Sequence, residues 1–157
     1  MPLRLFLVAC LVLCGCQSAP VEPGPVAGSF VQALNAKNVE GMAGLSVTPF
    51  RYRNQPWESA PDGSGFVLGK VEDRVANGPE ELRALLQDVS AGVQVEDPAP
   101  VQNGPSKPDL LNGPLNGAPL VWSEMNLVLF RRGEGDVEHL AIVGVDAEGK
   151  VTGLYVN

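Results

Sequence analysis

The chain has 157 residues, with 18 acidic and 11 basic side chains and a formal net charge of −7 at pH 7. This acidic balance argues against nucleic acid and anionic lipid headgroups as partners, because both repel a negative surface. All three cysteines lie in the first sixteen positions, so no disulfide is expected in the rest of the chain, which must be stabilised by its core.

An apolar run near the start of the chain ends at a cysteine motif. Residues 5–13 are apolar and follow the basic Arg4; this is typical of a secretory signal peptide and too short for a spanning helix of roughly 20 residues. The motif Leu13-Cys14-Gly15-Cys16 resembles the lipobox of bacterial lipoproteins, whose last cysteine is acylated after cleavage. The resemblance implies a signal peptide over residues 1–15 and a lipid, such as palmitate, on Cys16.

The same resemblance implies a place in the cell envelope. A protein lipidated at Cys16 would be anchored in the cell membrane or the outer membrane, with its domain facing the periplasm or the cell exterior. Residues 16–25 are predicted to be the lipidated cysteine and a proline-rich tether, because their prolines disfavour helix and sheet interiors. Residues 26–157 are then predicted to form one domain with a sizeable core.

Three helices are predicted in the first two thirds of the chain. Apolar residues recur at helical spacing from Val26 to Leu34, and Asn38 is a plausible cap for a short second helix. A third helix is predicted from Pro79, a residue type favoured at the first helical position, to Gly92, which is expected to provide a left-handed stop. Its apolar positions have the expected spacing: Leu82, Leu85, Leu86 and Val89.

Strands are predicted mainly after the third helix. The strongest strand, 120–131, is apolar on both parities, which indicates that both of its faces are covered. Two further strands follow it after turns and complete an antiparallel meander. The other extended segments and the returning strands are predicted at residues 50–53, 65–75, 93–95, 137–145 and 150–156.

A long segment between these parts, residues 97–119, contains six prolines and three Asn-Gly pairs. Such composition disfavours regular structure. Loops of this length inside a domain are usually functional lids or irregular segments. Two interpretations stay open: a plain surface loop and a lid over a cavity.

The order of elements resembles that of a known superfamily. The segments Phe30–Met42, an apolar helix with an Asn/Gly break, and Val143–Thr152, a strand with an Asp/Glu-Gly turn, make the chain similar to nuclear-transport-factor-2-like (NTF2-like) proteins, which include the SnoaL-like proteins. The resemblance implies an α+β fold in which a cone-like, curved, mostly antiparallel sheet packs on about three helices. It also implies frequent internal pockets and homodimers but no single activity.

Few residues are candidates for chemistry. If the sheet encloses a cavity, the candidates for lining it are Tyr52, Trp57 and His139. Two of these are also catalytic candidates: Tyr52 as a phenol that polarises a substrate carbonyl, and His139 as a general acid or base. Arg51 and Arg53 have the opposite parity to Tyr52 and are expected to face solvent. One histidine, no free cysteine and scattered acids give no metal-ligand spacing, and no cofactor is expected.

The sequence therefore predicts a membrane-anchored lipoprotein whose domain binds a small apolar ligand or a protein partner without catalysis. One alternative is a SnoaL-like isomerase, hydratase or cyclase that uses His139 and Tyr52. The other alternative is a structural homodimer assembled through strand 120–131.

Overall fold

The computed structural model describes residues 22–97, 100, 126–133 and 139–157. The predicted signal peptide, Cys16, almost all of the 97–119 segment and the start of the 120–131 strand lie outside these residues. None of the described helices is long and apolar enough to cross a membrane. The elements are α1 (Pro23–Asn35), α2 (Val39–Leu45), β1 (Ser46–Asn54), β2 (Trp57–Ser59), β3 (Phe66–Leu68), β4 (Glu72–Ala76), α3 (Pro79–Gly92), β5 (Asn126–Gly133), β6 (His139–Val145) and β7 (Val151–Val156).

The main sheet has five described strands in the order β4-β1-β7-β6-β5. Strands β1 and β7 run parallel, whereas the other neighbouring pairs are antiparallel. Strands β2 and β3 form a separate antiparallel hairpin. Together with three helices that precede β5, this curved sheet confirms the predicted α+β class and its mostly antiparallel strands.

Helix α1 starts earlier than the sequence predicts. Pro23 is its first residue, so Pro23 and Pro25 belong to the helix and not to the predicted tether. The physical reason is that the first four N–H groups of a helix have no intrahelical partner, so prolines there lose no hydrogen bond. The cap of α2 agrees with the prediction, since the Asn38 Oδ1 accepts a hydrogen bond from the Gly41 N–H at 2.9 Å.

Helix α3 has the predicted bounds and buries the four predicted apolar residues. Its stop differs from the prediction, because Gly92 is not left-handed and the chain leaves the helix through the extended backbone of Val93. The short strand predicted at 93–95 is also wrong. The Val95 N–H donates to the Asn35 Oδ1 at 2.9 Å, and the Asn35 Nδ2 donates to the Val95 carbonyl at 2.7 Å. An α1 side chain thus takes the place of a partner strand.

The main core lies between the helices and one face of the sheet. Helix α1 packs against β5, β6 and β7, and α3 packs against β4 and β1. The Phe30 and Phe50 rings are 6.1 Å apart at its centre, within the range of favourable aromatic pairs. We call this side of the sheet the helix face.

The other side of the sheet is buried as well. Leu127, Ile142 and Tyr155 form a second apolar cluster there, while Val128 and Phe130 of the same region face the main core. This confirms, for the described part of the strand, that both parities are covered. It also corrects the prediction for Arg53, which is only 1% exposed and does not face solvent.

Candidate functional site

A cleft of about 230 Å³ opens between the C-terminal end of α3 and the helix face of the sheet. We call it the α3–sheet cleft. Its apolar wall is formed by Val89, Gly92, Val93 and Val156. Six of its ten described lining residues have polar side chains: Tyr52, Asn54, Glu72, Arg74, Asp88 and Arg132.

Strand register accounts for most of the polar wall. Tyr52 pairs with Arg74 across β1 and β4, and Asn54 pairs with Glu72. Because side chains alternate along a strand, residues two apart share a face, and paired neighbours lie side by side. The register therefore places these four side chains in two adjacent rows on the helix face, beside the C-terminal end of α3.

Tyr52 is the sequence-predicted residue that lines this cleft. Its side chain is largely buried, at 7% exposure, and within the described part of the chain its hydroxyl has no hydrogen-bond partner. Burial raises the pKa of Tyr52, the negative charge of Glu72 raises it further, and the positive charges of Arg132 and Arg74 oppose these effects. The phenol is therefore protonated at neutral pH and can donate a hydrogen bond into the cleft.

Arg132 reaches the cleft from the opposite edge of the sheet. Its Nη1 donates to the backbone oxygen of Asn157, and its Nε is buried without a partner among the described residues. Burial lowers the pKa of this guanidinium, while the neighbouring Tyr52 raises it, and arginine stays charged at neutral pH. Among the described side chains, no carboxylate forms an ion pair with Arg132.

Asn157 fixes the geometry around Arg132. Its Oδ1 accepts from the Leu140 N–H at 2.6 Å, and its own N–H donates to the Leu140 carbonyl at 3.2 Å. These bonds extend the β6–β7 ladder by one residue and hold the Asn157 carbonyl in place. That carbonyl can then orient the guanidinium of Arg132 at the cleft wall.

The acidic residues of the cleft differ in their partners. Asp88 of α3 accepts a hydrogen bond from Arg74 of β4 at 2.8 Å, which closes one side of the cleft with an exposed ion pair. Glu72 forms no ion pair with a basic residue of the described chain. Among the described side chains, Arg132 and Glu72 thus form no ion pair, and they belong to strands at opposite edges of the described sheet.

The other two pocket candidates do not line the α3–sheet cleft. His139 is the first residue of β6 and pairs with Gly133; its Nδ1 lies 3.3 Å from the Asn157 carbonyl oxygen. Trp57 pairs with Leu68 in the separate hairpin. The structure therefore does not bring Tyr52, Trp57 and His139 together in this cleft.

Sequence reasoning identified Tyr52 alone among the described lining residues, and Arg132 is a missed residue for which the sequence holds a signal. The glycines and acids of residues 132–136 favour a turn, but β5 continues to Gly133. The available signal was parity, since Arg132 continues the series Val128 and Phe130, both of which face the core. Extending that alternation by one step points Arg132 to the same face, although the register with β6 shifts between Arg131 and Gly133.

A second polar cluster lies on the other side of the sheet. The Arg53 Nε donates to the Asp73 Oδ1 at 2.6 Å, and the Arg53 Nη2 donates to the Asp73 Oδ2. The hydrogen bonds from Arg53 hold the pKa of Asp73 below its usual range, against the opposing effect of its burial. Tyr155 pairs with Arg53 across β7 and β1, and its buried hydroxyl lacks a partner, as does the Arg53 Nη1. This arrangement joins three strands and opens into no described cleft.

A broader groove of about 350 Å³ lies between α2, α3 and the start of β1. The exposed ion pair between Arg83 and Glu40, at 2.9 Å, lies on its wall. Unlike the α3–sheet cleft, its walls contain no buried polar atom without a partner. Among the described residues, no three histidine, cysteine, aspartate or glutamate side chains are grouped so that they could hold a metal ion.

No protein-family model and no curated protein matches this chain. Several solved structures are similar in shape. An NTF2-like protein of unknown function from Cytophaga hutchinsonii is 10% identical, with 90% of this chain and 93% of that chain covered and a TM-score of 0.45. An uncharacterized cystatin fold protein from Novosphingobium aromaticivorans is 12% identical, with 87% and 98% covered and a TM-score of 0.43.

A computationally designed 17-OHP binder is 18% identical to this chain, with 87% of this chain and 90% of that chain covered and a TM-score of 0.44. All three TM-scores are below 0.5. The assignment of the domain to the NTF2-like superfamily therefore stays a proposal.

Proposed function

We propose that this chain is an envelope lipoprotein whose NTF2-like domain binds a small molecule, without catalysis, in the α3–sheet cleft. The observation that supports binding is the state of two donors in that cleft. The Tyr52 hydroxyl and the Arg132 guanidinium both line it, and the buried Arg132 Nε has no hydrogen-bond partner among the described residues. Unpaired polar groups cost free energy when they are buried, and a ligand acceptor would satisfy them.

Binding is better supported than catalysis by the positions of the titratable groups. A general acid or base must lie within hydrogen-bond reach of the reacting atom. Tyr52 is a protonated phenol with a raised pKa, and His139 lies outside the residues that line the cleft. The enzymatic alternative needs both residues in one cavity, so it has less support than a binding module.

The proposed location in the envelope is supported by the lipobox resemblance at residues 13–16. Six residues would separate Cys16 from Pro23, the first residue of α1. At about 3 Å per residue, such a segment spans roughly 20 Å. The domain would therefore work close to the membrane surface, where its ligand is expected to reach it.

A blocking variant tests the proposed function. Gly92 lines the cleft, and a Cβ built on it meets no atom within 4 Å, so Gly92→Trp can fill the cleft without a clash at Cβ. Gly44 lines the broader groove and is equally open, which makes Gly44→Trp the matched control.

The measurement is mass spectrometry of small molecules released by denaturing the full chain after purification from its own envelope. We expect a molecule that is present with the native chain and with Gly44→Trp, and that is lost with Gly92→Trp. A molecule lost only with Gly44→Trp would place the site in the broader groove and contradict the proposal. The same conclusion follows if no released molecule depends on Gly92.

A further inference from the structure

We infer that residues 101–125 pack, within the same chain, on the outer face of the sheet, which we define as the side opposite the helix face. The described side chains at the centre of this face are those of Arg53, Leu127, Ile142 and Tyr155. The inference concerns an interaction surface of the domain and does not depend on a ligand in the α3–sheet cleft.

The first argument is the burial of the outer face within a single chain. Arg53 is 1% exposed, Leu127 is 2% exposed, and Ile142 and Tyr155 are 0% exposed. No helix residue and no residue of the β2–β3 hairpin belongs to the described apolar cluster on this face. Because one chain alone produces this burial, the atoms that lie against the outer face belong to parts of the same chain outside the described residues.

The second argument is a pair of glycines near the centre of the outer face. Gly144 of β6 pairs with Gly153 of β7, and alternation from Ile142 and Tyr155 places both on this side. Neither glycine has a positive φ, so no turn requires glycine at these positions. Both are buried although they have no side chain to shield the backbone. Glycine inside a strand often marks the close approach of another backbone or a bulky group.

The third argument is where the segment 101–125 starts and ends. Before it, Val93 lines the α3–sheet cleft beside Arg132, close to the C-terminal end of β5; after it, Asn126 is the first residue of β5. The chain therefore has to return along the length of β5, whose eight residues span about 26 Å. Helices α1 and α3 occupy the helix face. The outer face remains for the return, and a segment of this length can reach up to about 80 Å when extended.

The fourth argument is the composition of the segment. Residues 101–125 contain eight valine, leucine, methionine or tryptophan side chains and only three charged ones. Packing on the outer face would remove these apolar side chains from water, which is favourable. A path through solvent would leave them exposed.

The remaining segments outside the described residues fit the outer face less well. Residues 134–138 form a short connection between β5 and β6 and contain one apolar side chain. Residues 1–15 are removed in the proposed function, and residues 17–21 lead directly into α1 on the helix face. The segment 101–125 is therefore the occupant with both the length and the apolar side chains.

Ile142 provides a direct test, because it is the only isoleucine of the chain and lies at the centre of the outer face. Labelling its δ1 methyl group in the detergent-solubilised full chain gives a single NMR signal, and nuclear Overhauser effects from this methyl group identify its neighbours. We expect contacts to residues 101–125 and, in a mixture of labelled and unlabelled chains, no contacts between chains. Contacts across the outer face that come only from residues 1–21 or 134–138, only from a second copy, or from no residue at all would overturn the inference.

A variant tests whether the side chains of the segment provide the packing. Residues 101–122 are replaced by a glycine–serine sequence of the same length, and relaxation by a soluble gadolinium chelate measures the exposure of the Ile142 methyl group. We expect this relaxation to be several-fold faster than in the native chain. The control combines Phe66→Ser with Val67→Ser, since these hairpin side chains are already exposed and do not belong to the outer cluster. The control should leave the relaxation unchanged.

The methyl group of Met42, in the main core on the helix face, shows whether the glycine–serine variant is folded. If Met42 stays shielded, equal relaxation of Ile142 in the variant and the native chain overturns the inference. If Met42 becomes exposed, the variant is unfolded, and the contacts of Ile142 in the native chain decide. Neither measurement involves a ligand, so failure of this inference and failure of the proposed function are distinguishable.

Discussion

Arg53 and Asp73 illustrate how a charged pair can be built into a sheet face. Arg53 is 1% exposed and Asp73 is 35% exposed, so the arginine depends on its partner more than the aspartate does. Removing the partner of a buried charge is far more costly than replacing the pair by apolar residues. The pair therefore makes β1 and β4 specific neighbours, and Asp73 is a sensitive position.

We expect Asp73→Asn to lower the free energy of unfolding by about 3 kcal/mol, because it leaves Arg53 buried without a counter-charge. Urea denaturation at neutral pH measures this change. Asp88→Asn is the control, since it breaks the exposed pair with Arg74 and should cost less than about 1 kcal/mol. Equal losses in the two variants would contradict the structural role of Arg53.

The same pair has a predicted pH dependence. The folded pKa of Asp73 is below its usual value, chiefly because of the hydrogen bonds from Arg53. Its stabilisation is therefore fully present above the unfolded pKa of about 3.9 and is lost as the pH falls through the folded pKa. The stability difference between the native chain and Asp73→Asn should shrink on acidification below about pH 4, and a difference that is unchanged at low pH would be inconsistent with this pair.

Individual residues also show where sequence patterns reach their limit. Parity correctly separates Tyr52 from Arg53, because alternation along a strand is a local property. It does not reveal that the face opposite Tyr52 is buried, since that depends on packing far along the chain. Arg132 was assigned to a turn because glycines and acids follow it, and only the register with β6 shows that the strand continues.

Helices α1, α2 and α3 follow from local sequence. Apolar spacing, a capping asparagine and a proline at the first helical position indicate the three helices and most of their bounds with little help from tertiary contacts. The start of α1 and the 93–95 segment were wrong for a common reason. Both depend on which backbone groups need a partner, and in the second case the partner is the side chain of Asn35, 60 residues away along the chain.

The contact between Asn35 and Val95 gives a prediction at the scale of elements. Asn35→Ala would leave both the N–H and the carbonyl of Val95 without their partner, and we expect a loss of about 2 kcal/mol in the free energy of unfolding. Ser29→Ala in the same helix is the control, because the Ser29 hydroxyl bonds only to the Pro25 carbonyl one turn earlier. If both variants are as stable as the native chain, the 93–95 segment is not held by α1.

In the whole molecule, a predicted lipid anchor precedes the described domain. The α+β class and the meander of β5, β6 and β7 could be predicted, because the strands are apolar and the residue types of Asp146–Gly149 are typical of a turn. The parallel pairing of β1 with β7 could not, because neighbours so distant in sequence leave no local pattern. The homodimer through strand 120–131 stays a prediction, as its first half lies outside the described residues.

The predicted location at a membrane depends on Cys16. We expect Cys16→Ser to release the chain from the membrane fraction, because several acyl chains, at about 0.8 kcal/mol for each buried methylene, would be lost. Fractionation after a salt wash, with the native chain and Cys14→Ser beside it, measures the effect. If Cys16→Ser stays with the membranes, the lipid anchor is wrong, and if Cys14→Ser is released instead, the wrong cysteine has been assigned.

The central claim is that the α3–sheet cleft is the binding site of the domain. The most direct measurement is mass spectrometry of the small molecules released from the native chain, Gly92→Trp and Gly44→Trp after purification from the envelope. We predict a molecule that is present with the native chain and with Gly44→Trp and is lost with Gly92→Trp, whose indole occupies the cleft. A molecule that persists in folded Gly92→Trp, or the absence of any such molecule from the native chain, would contradict this claim.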